Sequence, residues 1–193
     1  MSKRVMLKNV RLAFPVLNEP EKFQGDQGKP RYSATLLMEK GSANHKACVA
    51  AIKAAAAERW GEAKAEAAVK AITASGKCAF KDGASKADYD GFGEDVMFVA
   101  AHAQANNPPT LLDGNKQRLP RDTGVIYAGC YVNASIEFWA LDKSKGYGNQ
   151  INCQIRGVQF AADGDSFGAG SAASDDEFDT VEGAHEASDD DFA

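Results

Sequence analysis

The chain has 193 residues, a formal net charge of -5 and four cysteines. That length supports one folded domain with a core that needs no disulfides, and no run reaches the roughly 18 apolar residues of a membrane span. The start, MSKRVMLKNV, lacks the apolar stretch of a secretory signal, and Cys48, Cys78, Cys130 and Cys153 contain no C-x-x-C pair, so a cytoplasmic protein with reduced thiols and no membrane partner is expected.

From the N-terminus, VMLKNVRLAF is rich in β-branched and aromatic residues and reads as a first strand closed by Phe14 and Pro15, with Phe14 expected in the core. RYSATLLME at 31–39 is the second strand, entered through Lys29 and Arg31. Ser42 can cap a helix in which Val49, Ile52, Ala56 and Trp60 recur at three and four residues until Gly61. Ala65, Val69 and Ile72 repeat the pattern until Gly76, so a helical insertion spans about 43–75. His45 and Cys48 lie one helical turn apart, but no second ligand pair follows at finger-like distance, and no metal site is expected.

The segment 82–95 reads as a long loop whose Tyr89 and Phe92, with Phe14, could instead border a groove. Its acids, Asp82, Asp88, Asp90, Glu94 and Asp95, lack the basic or histidine partners of a metal-dependent active site. EDVMFVAAHAQ at 94–104 is the third strand, and GNKQRLPRD after it carries Lys116, Arg118 and Arg121.

The 124–142 region alternates without a slip. Ile126, Ala128, Cys130, Val132, Ala134, Ile136, Phe138 and Ala140 fall on one face, which the period of two assigns to the core. Tyr127, Tyr131, Asn133, Ser135, Glu137 and Trp139 fall on the other. The turn DKSKGYGN, with Lys143 and Lys145, leads to a fifth strand at 149–161 with Ile151, Cys153 and Ile155 inward, Arg156 outward and a bulge at Gly157. Five strand regions with helices covering rather than alternating with them imply a mainly β, five-stranded antiparallel barrel with a helical insertion.

From Asp163 the composition turns to Gly, Ala, Ser, Asp and Glu, too poor in apolar residues to offset the entropy of ordering, so a disordered tail at 163–193 follows a domain at 1–162. No Lys or Arg follows Arg156. The tail holds 11 of the 27 acids, which leaves residues 1–162 with 22 bases against 16 acids, a net of +6. A tether of that sign can occupy the same cationic surface as a phosphate chain, and its end, with Asp189, Asp190, Asp191 and Phe192, has the form of a ligand for an apolar pocket ringed by cations.

Catalytic signatures are absent from the sequence: there is no P-loop, no G-x-G-x-x-G after a strand, no H-E-x-x-H and no G-x-S-x-G. A non-enzymatic binding protein without a cofactor is expected. Unpaired bases present π-faces whatever their identity, so a protein that holds single strands needs flat side chains and cations along a backbone path. Tyr127, Tyr131 and Trp139 supply the rings; Lys143, Lys145, Arg156, Lys116, Arg118, Arg121, Lys29 and Arg31 supply the charge. The same rings could instead pack beneath the helices, and charged turns are often plain solvated surface. A DNA-mimicking inhibitor of a host enzyme and a metal-dependent nuclease stand as the rival readings.

The succession RLAFPVLNEP, KPRYSATLLMEK, ERWG, DGFGED, LLDGNKQ and VIYAGCYVNASIEFWALDKSKGYGNQINCQIRGVQF resembles the single-stranded DNA-binding proteins of tailed bacteriophages and prophages, over residues 1–162. The resemblance implies an OB-fold, weak sequence preference, a role in replication, recombination or repair in the host cytoplasm, and an acidic C-terminal tip that recruits partner enzymes; a homodimer is compatible with it. SDDDFA matches such a tip in charge and in its ring, but places Ala193 after Phe192.

Overall fold

In the computed structural model the described residues are 3–22, 28–142 and 148–168. Strand β1 (Arg4–Glu21) serves two neighbours, both antiparallel: its first part pairs with β6 (Tyr131–Leu141) and its second with β2 (Arg31–Glu39). It changes partner by bending at Asn9 and Phe14, which have φ of 51° and 47° and sit where the pairing register shifts. β2 pairs along its length with β4 (Val96–Gln104), and β6 pairs with β7 (Gln150–Ala162). β4 then meets β7 in a parallel bridge between His102 and Gln154. That bridge closes β1, β2, β4, β7 and β6 into a five-stranded barrel, antiparallel except at the closure. Two short strands extend its edges, β3 (Phe80–Asp82) on β4 and β5 (Thr110–Leu112) parallel to β7.

The barrel is filled by residues of alternating strand positions, among them Leu7, Leu12, Leu36, Val99, Val132, Ile136, Phe138, Ile151, Ile155 and Val158, all fully buried. Each stabilises the fold by about 1.5–3 kcal/mol through removal of apolar surface from water. The helical insertion is α1 (Ala43–Trp60) and α2 (Glu62–Ala74). Ser42 caps α1, its Oγ accepting the His45 N–H at 3.2 Å, and Gly61 at φ 83° ends one helix and begins the next. Ala51, Ile52 and Ala55 of α1 and Ile72 of α2 join the barrel core. Among the described residues no helix is long and apolar enough to cross a membrane.

Of two expectations about strands, one needs adjustment and one holds. β6 begins at Tyr131 rather than at 124, because Gly124 and Gly129 take φ of 70° and 102° and turn the chain there. The Gly129 N–H donates to the Leu12 carbonyl at 2.7 Å, so the turn is tied directly to β1. The bulge at Gly157 is present: the β6–β7 register slips between the Ser135–Gly157 and Ile136–Ile155 pairs, and β5 crosses so near that a Cβ on Gly157 would lie 3.3 Å from the Thr110 carbonyl oxygen.

Beyond β7 the chain stays on the body through Gly168. The Phe167 N–H donates to the Ala128 carbonyl at 2.9 Å, and the Phe167 ring packs with Phe92 and Val96 over buried Ala13, Leu37 and Phe98. This small second core lies outside the barrel.

Candidate nucleic-acid interface

The outer faces of β2, β4 and β7 form a concave surface made of three adjoining grooves of about 610, 370 and 230 Å³, all of which include His102. The largest is bounded by Trp139 at the end of β6, with Arg31, Gln150, Asn152 and Gln154 along its sides. The second runs between Phe14, Tyr89 and Lys86 over a floor of Ser33, Thr35 and Ala100. The third carries Lys77 and Lys81 beside Gln150 and Asn152. Because the grooves share Arg31, His102, Gln150 and Asn152, they make one path with exposed rings at both ends.

At one end, Trp139 is 41% exposed. At the other, Phe14 and Tyr89 are 45% and 54% exposed and meet edge to face, with ring centres 5.4 Å apart. Phe92 lies 5.9 Å from Phe14 and 5.3 Å from buried Phe98, so the exposed pair stands on half-buried Phe92 and, beneath it, Phe98. The Lys86 ammonium sits 5.0 Å from the Phe14 ring centre and 5.6 Å from that of Tyr89, a cation held against aromatic faces. Lys86 ends a 3₁₀ turn (Gly83–Lys86) started by Asp82, whose Oδ1 accepts the Ala84 N–H at 2.9 Å.

Phe14 was expected in the core, and that is corrected: the period of two places it with Leu12, but the β1 bulge puts the buried pair Leu12–Ala13 in succession and turns Phe14 outward. A non-glycine residue at positive φ is costly, and a bulky one especially so. That strain is retained where the ring meets an open groove.

Glu137 introduces the groove's negative charge. Arg156 donates to its Oε2 from Nη2 at 2.6 Å and from Nε at 3.1 Å, and Arg4 approaches at 3.3 Å. The Arg156 hydrogen bonds, more than that from Arg4, hold the carboxyl below its ordinary range despite partial desolvation.

The residues expected from sequence to bind nucleic acid are distributed unequally. Trp139 and Arg31 line the path, and Arg156 reaches it through Glu137. Tyr127 and Tyr131 are half-buried and face the segment after β7: the Tyr127 hydroxyl lies 2.9 Å from Asp163 Oδ1 and accepts the Gly164 N–H at 3.1 Å, while Gly164 packs on the Tyr131 ring. Arg121 donates to the carbonyls of Leu17 and Pro109 and covers the Tyr32 ring at 4.9 Å, which ties down the preceding loop. Lys116 and Arg118 are exposed on the turn after β5, and Lys29 is exposed ahead of β2; none of the three lines a groove. Lys143, Lys145, Asp189, Asp190, Asp191 and Phe192 lie outside the described residues.

Lys86, His102, Lys77 and Lys81 were not assigned from sequence, and Phe14 and Tyr89 were weighed only as rings that could border a groove. Tyr89 had a signal, an aromatic residue amid Asp and Gly. Phe14 had none, because its bulge is set by pairing with β2.

The family described as the ssDNA-binding protein of Enterobacter phage Enc34 matches residues 3–193. Protein p50 of Acyrthosiphon pisum secondary endosymbiont phage 1 is 36% identical over 185 residues, covering 95% of this chain and 96% of that one. Among solved structures, the single-stranded DNA-binding protein from bacteriophage Enc34 in complex with ssDNA superposes with a TM-score of 0.70 at 27% identity, over 86% of this chain and 90% of that one. The single-stranded DNA-binding protein gp2.5 of bacteriophage T7 is similar in fold, with a TM-score of 0.55 at 13% identity over 83% and 92% of the two chains.

Proposed function

We propose, from the premise that this chain belongs to the family of the Enterobacter phage Enc34 ssDNA-binding protein, that it binds single-stranded DNA along the β2–β4–β7 groove without catalysing a reaction on it. The observation that carries this reading is the continuous path with exposed rings at its two ends and cations between them. Bases stack on Phe14 and Tyr89 at one end and on Trp139 at the other, while Lys86, Arg31, Lys77, Lys81 and Arg156 follow the phosphates. Lys143 and Lys145, which follow Leu141 in the sequence, add to the positive charge available to phosphates. The solved complex of the Enc34 protein with ssDNA supports this ligand class.

The setting is phage DNA replication, recombination or repair. The net +6 of residues 1–162 and the -11 of the remainder support a tail that competes with DNA for the cationic path, and Asp189, Asp190, Asp191 and Phe192 then present themselves to partner proteins when DNA displaces them.

A fluorescence titration tests the reading. With Trp60→Phe, Trp139 becomes the sole indole of the two in the chain. Oligothymidylate should quench it and duplex DNA of equal length should not, with affinity falling by a log-log slope of about -0.7 per phosphate neutralised. Equal binding of duplex, or no quenching by single strands, overturns the assignment of the groove.

A further inference from the structure

We infer that the six residues after β7 form a strap in which Phe167, held by Arg11, is a positioning residue for the Phe14–Tyr89 ring pair. The inference rests on the DNA-binding reading above and adds to it a component outside the groove.

The strap is held along its length. The Tyr127 hydroxyl engages Asp163 and Gly164 at its start. Arg11 fixes the middle: Nε donates to the Gly129 carbonyl at 3.0 Å and Nη2 to the Asp165 carbonyl at 2.8 Å, and the guanidinium lies 4.4 Å from the Phe167 ring centre. At the end, the Gly168 N–H donates to Asp90 Oδ2 at 3.0 Å. Two glycines at positive φ make room. A Cβ on Gly129 would stand 2.0 Å from the Asp165 carbonyl oxygen, and one on Gly91 would stand 2.4 Å from Phe167 Cζ. The Phe167 ring therefore rests directly on the backbone of the loop that bears Tyr89 and Phe92.

That loop has weak support of its own. Within residues 88–92 the backbone bonds are short-range turns, Tyr89 N–H to the Lys86 carbonyl at 2.9 Å and Phe92 N–H to the Tyr89 carbonyl at 3.1 Å. It is anchored from behind through Phe92, which packs with Phe167 against Phe98. A cavity of about 150 Å³ remains between Phe14, Tyr89, Asp90 and Phe167, into which the loop can settle if the Phe167 ring is removed. Rings fixed before the ligand arrives bind it without a further ordering cost, so the strap acts on affinity through preorganisation.

The test uses the full chain with Phe167→Ala, Phe167→Tyr and Arg11→Met. The readouts are amide exchange of residues 87–93 and titration with oligothymidylate and with an abasic oligonucleotide of the same length. Phe167→Ala should accelerate exchange in 87–93 but not in β6, and should weaken oligothymidylate binding by about fivefold, a partial loss of one stacking interaction. Abasic binding should be unchanged. Phe167→Tyr should restore both readouts, and Arg11→Met, which leaves the ring in place, should move them in the same direction by less.

If Phe167→Ala binds oligothymidylate as the wild type does, the inference is overturned while the DNA-binding reading stands. If binding of both ligands changes alike, the effect lies in the charge of the tail rather than in the rings, and the inference is again overturned. If the wild type itself does not bind oligothymidylate, the reading and the inference fall together.

Discussion

Replacing Phe14 separates binding from stability, because the residue pays for its position with backbone strain. In Phe14→Ala the ring is lost and the φ of 47° remains unfavourable; in Phe14→Gly the ring is lost and the strain is relieved. A base stacked on an aromatic side chain contributes about 1–3 kcal/mol, and the Phe14 ring, with Tyr89 and Phe92 against it, offers part of its surface. Both variants should therefore lose about 1–2 kcal/mol of affinity, about fivefold to thirtyfold in Kd by oligothymidylate titration. Stability should divide them. A left-handed conformation costs an L-residue about 1–2 kcal/mol, of which glycine's greater unfolded-state entropy offsets about half, so Phe14→Gly should exceed Phe14→Ala by up to about 1 kcal/mol. In a domain of this size that is a Tm difference of about 2–4 °C in a thermal melt. Wild-type affinity in both variants would refute the ring's role, and a lower Tm for Phe14→Gly would refute the strain.

At the other end of the path, Trp139→Ala should weaken single-strand binding by at least about fivefold in fluorescence anisotropy, with Trp139→Phe recovering most of it. Glu137→Gln should release Arg156 for phosphate and remove a negative charge from the groove, tightening low-salt binding about twofold to fivefold and steepening the salt slope. Its depressed carboxyl also sets a pH signature: the ion pairs stabilise the fold fully above the ordinary carboxyl pKa and lose that contribution as pH falls through the lower folded value. Acid melts of Glu137→Gln should accordingly show a shallower loss of stability in that window than the wild type. Burial pushes the Cys48 thiol up to about 12 and raises Cys78, Cys130 and Cys153 as well, so a thiol reagent at pH 8 should label none of the four rapidly in the native chain and all of them in denaturant. Converting the nine acids after Gly168 to amides should tighten binding at low salt and have little effect at high salt, as read by titration; equal affinity at both would remove the tail from competition.

The barrel was legible where one face of a strand is buried and the other is not. Val132, Ala134, Ile136 and Phe138 are buried with half-exposed residues between them, and both helices end at the glycines that punctuate their sequence. Alternation misled at 124–130, where Ile126 and Ala128 continue the apolar period through a turn made by two glycines. The same continuation placed Tyr127 on the face of Trp139, a face that Tyr131, inside β6, does share. Their actual neighbour, the segment at 163–168, has the composition of a free tail and is held by a single aromatic ring and by hydrogen bonds with the Tyr127, Arg11 and Asp90 side chains, neither of which composition records. The outward direction of Trp139 was legible because an outward position on a regular strand is a local property. Phe14 was not, because its direction depends on a bulge, and a bulge depends on which strands pair.

The floor of the groove bears on sequence preference. β2 is buried on both faces over most of its length: Tyr32, Ala34, Leu36 and Met38 face the barrel, whereas Ser33 and Thr35, at 5% and 9% exposure, form the bottom of the groove beside Ala100. A hydroxyl both donates and accepts, so it can meet either kind of group on a base edge. The planar donors that distinguish bases by bidentate bonds lie off this floor: Arg31 and the Gln150 and Asn152 amides stand along the sides of the groove, Arg121 is committed to backbone carbonyls and Arg156 to a carboxylate. Discrimination then falls to stacking strength, which varies little from base to base compared with a bidentate contact of about 1–3 kcal/mol. Small hydroxylated residues under a wall of rings therefore favour tight but indifferent binding, and substituting Thr35 by Arg should be the change that introduces a preference for guanine-containing strands in a competition assay against oligothymidylate.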